Sequence, residues 1–137
     1  MNVLVTDSGF TPDTWTTGFA TLDDPHAPSL DISPGDDLDR MTARLPTLQM
    51  IRIDFADFAD GRGFSIARRL RLSGYTGRLR AHGHVLADQY AMARRSGFDE
   101  VEITADLAAR QPQDQWLARA NWRAHDYQSR LRGPRSA

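Results

Sequence analysis

Hydrophobic and polar positions along the chain predict strands that alternate with helices. Four short apolar segments are each followed by a stretch with helical periodicity. The predicted strands cover residues 29–33, 48–55, 78–82 and 100–104. The predicted helices cover about 36–45, Ile66 to Gly74, about 12 residues after Gly83, and Pro112 to Leu131. Connections this short predict parallel strands with right-handed crossovers.

This pattern predicts an α/β fold with four strand-helix units and a mainly parallel sheet. Such units form either an open sheet with helices on both faces or half of a TIM-like barrel, and the pattern leaves both alternatives open. Residues 1–28 are interrupted by proline and glycine, which predicts an N-terminal β arm or hairpin. Residues 29–131 then form a single α/β domain, and 132–137 a flexible tail.

Two features predict a surface for self-association. The last predicted strand, EVEIT, alternates Glu100 and Glu102 with Val101 and Ile103. This alternation predicts a strand at the sheet edge or a strand with one wet face. In the last predicted helix, Trp122 points almost opposite to the apolar stripe. We therefore expect a homo-oligomer.

Composition restricts the chemistry that the protein can perform. The 137 residues are 40% hydrophobic and 26% charged, which is typical of one soluble domain. No apolar run approaches the roughly 20 residues that span a bilayer, and the N-terminus does not resemble a signal peptide, so we expect a cytoplasmic protein without a membrane partner. Cysteine and lysine are absent, which excludes thiol nucleophiles, thiolate metal sites, Schiff bases and Walker-type loops. We predict no bound cofactor and no metal.

Charge is distributed unevenly along the chain. Residues 1–60 contain 3 Arg and 11 acidic residues, whereas residues 61–137 contain 14 Arg and 7 acidic residues. We expect the two halves to pack together and neutralise each other, and the alternative is a basic face that attracts anions. Nucleic acid is not an expected partner, because the arginines are scattered and lack an aromatic-rich strip.

The segment FADFADGRGFSIARR, residues 55–69, carries the candidate site. Its DGRG sequence lies between a predicted strand and a predicted helix, on the side of parallel α/β folds where ligands bind. Glycines on both sides of Arg62 permit close approach of a ligand, and Ser65 is the predicted N-cap of a helix that would present free amides to an anion. The predicted anion-binding residues are Asp60, Gly61, Arg62, Gly63, Ser65, Arg80, His82, Gly83, His84, Asp88 and Gln89.

A purely structural interpretation of this segment remains open. Asp60 would then accept backbone hydrogen bonds in a tight turn, and Arg62 would pair with Asp54 or Asp57. Arg80 lies in a predicted buried strand and needs a carboxylate or an anion, for which Asp54 is the natural partner. The candidate catalytic residues are Asp54, Arg62, Arg80 and His82. The pair His82 and His84 is too sparse to predict a metal site.

Three blocks of sequence carry a family resemblance. They are IDFADFADGRGFSIARRLR, then GYTGRLRAHGHVLADQYAMARRSGFDEVEI, and then a C-terminal helix that bears tryptophan and tyrosine. Together they resemble the bacterial family of unknown function DUF934, described as a probable oxidoreductase associated with sulfite reduction. The resemblance covers about residues 46–131, with a looser similarity around Asp13 to Trp15.

The resemblance implies an accessory role in assimilatory sulfite reduction in the cytoplasm. The implied partners are a small sulfur oxyanion, or sulfite reductase or another enzyme of sulfur assimilation. The residues themselves also leave a second hypothesis open, which is a small enzyme with an Arg/His/Asp site at the carboxyl ends of the parallel strands.

Overall fold

The computed structural model describes residues 2–125, which contain one six-stranded sheet and five helices. The strands are β1 (Asn2–Thr6), β2 (Gly9–Thr11), β3 (Ser29–Ile32), β4 (Met50–Phe55), β5 (Arg78–Gly83) and β6 (Glu100–Thr104). The helices are α1 (Asp39–Thr42), α2 (Arg62–Leu72), α3 (Tyr90–Ser96), α4 (Ala105–Arg110) and α5 (Gln113–Leu117). Short 3₁₀ turns lie at Leu45–Thr47, Ala87–Gln89 and Trp122–His125.

The strand order in the sheet is β2-β1-β6-β5-β4-β3. Strands β3 to β6 pair in parallel, and β1 pairs antiparallel with both β2 and β6. The predicted α/β class and the mainly parallel sheet are therefore confirmed. The N-terminal β1–β2 hairpin adds an antiparallel edge to this sheet.

The position of β6 differs from the prediction. An edge strand or a wet face was expected, but β6 lies between β5 and β1, and Glu100 and Glu102 are only 4% and 7% exposed. The prediction was wrong because the N-terminal strand β1 pairs with β6, and arginines on the neighbouring strand β5 provide partners for both carboxylates. Paired carboxylates of this kind can be buried, whereas unpaired ones cannot.

The helices of the described chain cover one face of the sheet. Successive strand residues point to opposite faces, and a single apolar core joins one set of them to side chains from all five helices. The helices expected on both faces of an open sheet are thus found on one face only within residues 2–125. The strand residues of this core are Val5, Leu30, Ile32, Ile51, Ile53, Phe55, Leu79, Ala81, Val101 and Ile103.

The opposite side of the sheet bears a group of ionic side chains, here called the charged face. Its members are Asp31, Arg52, Arg78, Arg80, Glu100 and Glu102. Residues 12–19 lie over this face, because Asp13 forms an ion pair with Arg80 and the Phe19 ring centre is 3.9 Å from the Arg52 guanidinium carbon. The segment after the hairpin therefore shields part of the charged face from water.

The last helical region is more divided than predicted. Helix α5 begins directly after Pro112, as expected, but it ends at Leu117, and a 3₁₀ turn follows at Trp122–His125. The remainder of the predicted helix, to Leu131, lies outside the described residues. The Trp122 indole Nε1 donates a hydrogen bond to Asp7 at 3.3 Å. The Trp122 side chain therefore has a contact within the chain that accounts for its position off the apolar stripe. Self-association remains a prediction.

Candidate functional site

Arg80 is the fully buried centre of the charged face. Its Nε donates to Glu100 at 2.6 Å, its Nη1 donates to Glu102 at 2.8 Å, and its two Nη atoms donate to Asp13 at 3.0 and 2.9 Å. The burial predicted for Arg80 is confirmed. The predicted partner Asp54 is wrong, because Arg80 on β5 is in register with Glu100 on β6, whereas Asp54 lies two residues further along β4.

The hydrogen bonds within the charged face favour its ionised forms. Burial alone would raise the pKa of Glu102, but hydrogen bonds from Asn2, Arg80 and Arg52 outweigh it and hold this pKa below its ordinary value. Burial likewise works to lower the pKa of Arg80, yet the surrounding carboxylates raise it above the ordinary range. The hydrogen bonds from Arg80 lower the pKa of Asp13. Each guanidinium of this network therefore already has carboxylate partners.

A cleft of about 450 Å³ lies at the carboxyl ends of β3, β4 and β5. Its lining contains four aspartates and one arginine, Arg40, which pairs with Asp23 at 3.0 Å. A cleft with this charge disfavours sulfite and other anions, and it favours neutral or positively charged molecules. The lining residues are Thr21, Leu22, Asp23, Asp31, Ile32, Ser33, Asp36, Arg40, Asp54 and His82.

Asp54 and His82 are brought together at this cleft. They are register partners on β4 and β5, and the His82 Nδ1 lies 3.5 Å from the Asp54 Oδ1. On the other side of the ring, Nε2 lies 3.7 Å from the Glu102 Oε2. A partly exposed imidazole between two carboxylates can accept or donate a proton, and a neighbouring carboxylate orients the ring.

The charged side chains of the DGRG loop pair with each other. Gly61 is the N-cap of α2, and Asp60 accepts a hydrogen bond from the Arg62 backbone N–H at 3.1 Å. The Arg62 guanidinium also donates to both oxygens of Asp60, at distances between 2.7 and 3.1 Å. Asp60 thus accepts backbone hydrogen bonding, as the structural alternative predicts, but Arg62 pairs with Asp60 and not with Asp54 or Asp57. These hydrogen bonds lower the pKa of Asp60 to about 2.

This arrangement changes what the start of α2 can bind. The Asp60 carboxylate lies at the position where an anion was predicted, so an incoming anion must displace it. Ser65 was predicted as the N-cap, but it is an exposed residue within α2, which begins at Arg62. The second residue of this helix, Gly63, packs against the Phe55 ring, where a Cβ would come within 2.3 Å of a ring atom.

The other predicted anion-binding residues have separate contacts. Gly83 ends β5, and the His84 backbone N–H donates to the Phe55 carbonyl at 2.8 Å. Asp88 pairs with Arg119 at 2.9 Å, on the surface. The Gln89 amide donates to the Phe58 carbonyl at 3.1 Å and its oxygen accepts from the Leu86 N–H. Gln89 therefore contacts the loop after β4, but it does not contact Arg62.

Sequence reasoning missed most of the charged face and the Asp13 carboxylate that covers it. Asp13, Asp31 and Arg52 were not among the candidates, and Glu100 and Glu102 were treated as solvated positions. The available signal was the alternation of charged and apolar residues in MIRIDF, RLRAH and EVEIT, which places one ionic residue at every second position. Three neighbouring strands with this alternation and opposite charges indicate a buried ionic layer.

Two further findings concern metals and membranes. Within residues 2–125, no group of three or more His, Cys, Asp or Glu residues is arranged to hold a metal ion. In the same part of the chain, no helix combines the length and the apolar character that crossing a membrane requires.

Comparison with known proteins identifies the family of the chain. The chain matches no curated protein and no solved structure. The model of the family described as bacterial protein of unknown function, DUF934, matches residues 29–137, which is well over half of the chain. The resemblance carried by the DGRG and GRLRAHG blocks is thereby confirmed, and the chain belongs to the bacterial protein family DUF934.

Proposed function

We propose that this protein is a cytoplasmic accessory protein of assimilatory sulfite reduction that works by binding a partner protein, sulfite reductase. The proposed process, sulfite reduction, is based on the association that the family resemblance implies. Membership of the family carries no function by itself. The choice of a protein partner over a sulfur oxyanion is supported by the pairing of the arginines.

The observation that supports this choice is that the arginines expected to hold an anion already bind carboxylates of the chain. Arg80 contacts three carboxylates, and Arg62 is engaged by both oxygens of Asp60. The strand-end cleft is also acidic. Binding sulfite at Arg80 would require breaking buried ion pairs, which leaves a carboxylate uncompensated, and binding it at Arg62 would require displacing Asp60.

The test is a binding measurement between the purified protein and purified sulfite reductase. Sedimentation velocity at micromolar concentrations should reveal a mixed complex, because a functional interface of about 1,600 Å² gives affinities from micromolar to picomolar. A parallel thermal denaturation with sulfite, sulfate and phosphate should leave the melting temperature unchanged, since a ligand that binds only the native state raises it. A rise in melting temperature with sulfite alone would contradict the proposed protein partner and would indicate that the protein binds the oxyanion.

A second candidate function is a small enzyme at the strand ends, and the Asp54–His82 pair in the cleft favours it. His82 would transfer a proton of a neutral or cationic substrate, and Asp54 would orient the ring. The ultraviolet–visible spectrum of the freshly purified protein tests this candidate. Absorption by a retained neutral or cationic chromophore, lost in the Asp54→Ala and His82→Ala variants, would favour the enzyme over the accessory protein.

A further inference from the structure

A groove lies between helices α2 and α3, on the side of these helices that faces solvent. Its volume is about 470 Å³, and its lining contains two arginines and no acidic residue. The lining residues are Gly61, Phe64, Ser65, Arg68, Arg69, Leu72, Met92 and Ser96. The groove is therefore distinct in charge from the acidic cleft at the strand ends.

Large apolar side chains are exposed in this groove. Leu72 is 82% exposed and Met92 is 49% exposed, and the remaining large exposed apolar residue of the described chain, Leu117, is on α5. An isolated exposed leucine is common on protein surfaces. Two exposed apolar side chains that share a concave surface with cations are typical of an interaction site, where apolar anchors are surrounded by charge.

The cations of the groove are available for a partner. Arg68 and Arg69 are exposed, and the nearest carboxylate in the ion pairs of residues 2–125 is that of Asp39, 3.7 Å from the Arg69 guanidinium. Both side chains of that pair are mostly exposed, so the interaction is weak and easily exchanged. In the same groove, Ser96 is 2% exposed and its hydroxyl has no hydrogen-bond partner among the described residues.

We propose that the α2–α3 groove is the docking surface for an acidic surface of the partner enzyme, in which carboxylates flank an apolar side chain. This inference rests on the proposed function and specifies its binding surface. Partner carboxylates would pair with Arg68 and Arg69, and the apolar side chain would pack against Leu72 and Met92. Charge complementarity of this kind steers association, and burial of the apolar anchors slows dissociation.

Charge and shape favour a protein over the other occupants of a basic groove. The phosphates of a nucleic acid would pair with Arg68 and Arg69 but would leave Leu72 and Met92 uncovered. Phe64, the aromatic residue in the lining, is 9% exposed and is not available for base stacking. A second copy of the chain could reach the groove with the acidic residues Asp36, Asp37 and Asp39, which line the adjacent pocket, and the test below treats self-association as a separate outcome.

The experiment compares groove variants with matched controls on other faces. Arg68→Glu combined with Arg69→Glu reverses the charge, and Arg110→Glu combined with Arg119→Glu is its control, because both of these arginines are also exposed and lie outside the groove. Leu72→Ser removes the anchor, and Leu117→Ser is its control. The affinity of each variant for purified sulfite reductase is titrated at about 50 and 300 mM NaCl, and melting temperatures verify that all variants are folded.

We expect the charge reversal to weaken binding by about tenfold or more, and Leu72→Ser by about fivefold, with both controls within about twofold of the wild type. The effect of charge reversal should decrease at the higher salt concentration. If the wild type binds the reductase and the groove variants bind equally well, the docking surface is wrong while the proposed function stands. If the wild type does not bind the reductase, the proposed function fails and this inference fails with it. The inference would also be overturned if the wild type self-associates or binds duplex DNA and only the groove variants lose that binding.

Discussion

The carboxylate of Asp13 and the guanidinium of Arg80 form a two-point ion pair across 67 positions of the chain. The two N–O distances are 3.0 and 2.9 Å, and Arg80 is fully buried in β5. The pair therefore holds the segment after the N-terminal hairpin against the sheet. It also joins the acidic first part of the sequence to the arginine-rich second part.

We predict that Asp13→Asn lowers the free energy of unfolding by about 1–3 kcal/mol, the cost of leaving a buried hydrogen-bond donor without its partner. Arg80 stays buried but loses one of three carboxylates. Because the Asp13 side chain is 43% exposed, water replaces part of the lost interaction. Urea denaturation at pH 7 measures the change. The control is Asp23→Asn, which removes the exposed pair with Arg40 and should change stability by less than about 1 kcal/mol. Equal losses in both variants would contradict the special role of Asp13.

A larger loss is expected when the central cation itself is removed. Arg80→Met should destabilise the protein by about 3–5 kcal/mol, because the buried carboxylates of Glu100 and Glu102 lose their shared partner. Without Arg80, Glu100 keeps only Arg78 and Glu102 keeps only Arg52 as an arginine partner. Adding Glu100→Gln should recover part of the loss, since it reduces the excess of carboxylates over arginines in the charged face. Urea denaturation of the single and double variants tests both statements. No recovery in the double variant would mean that packing, and not charge, accounts for the loss.

The pH dependence of stability follows from the lowered carboxyl pKa values of Asp13 and Glu102. A carboxyl group whose pKa is lower in the folded state contributes its full stability when the pH is above its unfolded pKa. The unfolded pKa is ordinarily 3.8 for Asp and 4.5 for Glu. The contribution is lost as the pH falls through the folded pKa. We therefore expect stability to decrease as the pH falls from about 5 to below 3. Urea titrations across this range measure the slope, which Glu102→Gln should make shallower. An unchanged slope in that variant would show that Glu102 does not contribute to the pH dependence of stability.

The parts of the fold set by local sequence could be predicted. The segments MIRIDF and RLRAH are strands because apolar residues occupy every second position, and each is followed by a helix. Since parallel strands end at the same side of a sheet, Asp54 and His82 were expected at the same side, and they are register neighbours. These relationships depend on periodicity and chain direction, which a sequence displays directly.

The parts set by distant pairing could not be predicted. The insertion of β1 beside β6 joins residues about a hundred positions apart, and it converts EVEIT from an expected edge strand into an inner strand. The partners of Arg80 depend on the register between β5 and β6 and on Asp13, which precedes it by 67 positions. Local patterns carry no information about which of several carboxylates will face a buried arginine.

The two glycines of DGRG provide a final prediction, because they flank the same arginine but differ in their surroundings. A Cβ on Gly63 would lie 2.3 Å from an atom of the Phe55 ring, whereas a Cβ on Gly61 would have its nearest neighbour, in Phe64, at 3.8 Å. Gly63→Ala should therefore lower the free energy of unfolding by about 1–3 kcal/mol, the typical cost of overpacking a core.

Gly61→Ala is the matched control and should change stability by less than about 1 kcal/mol, because neither glycine has a positive φ that alanine would strain. Urea denaturation of both variants compares them directly. If Gly63→Ala is destabilising and Gly61→Ala is not, the second glycine is required because β4 and α2 pack closely through Phe55. If Gly61→Ala is the more damaging substitution, the requirement lies in the Asp60–Arg62 turn, and close packing of the helix does not explain the motif.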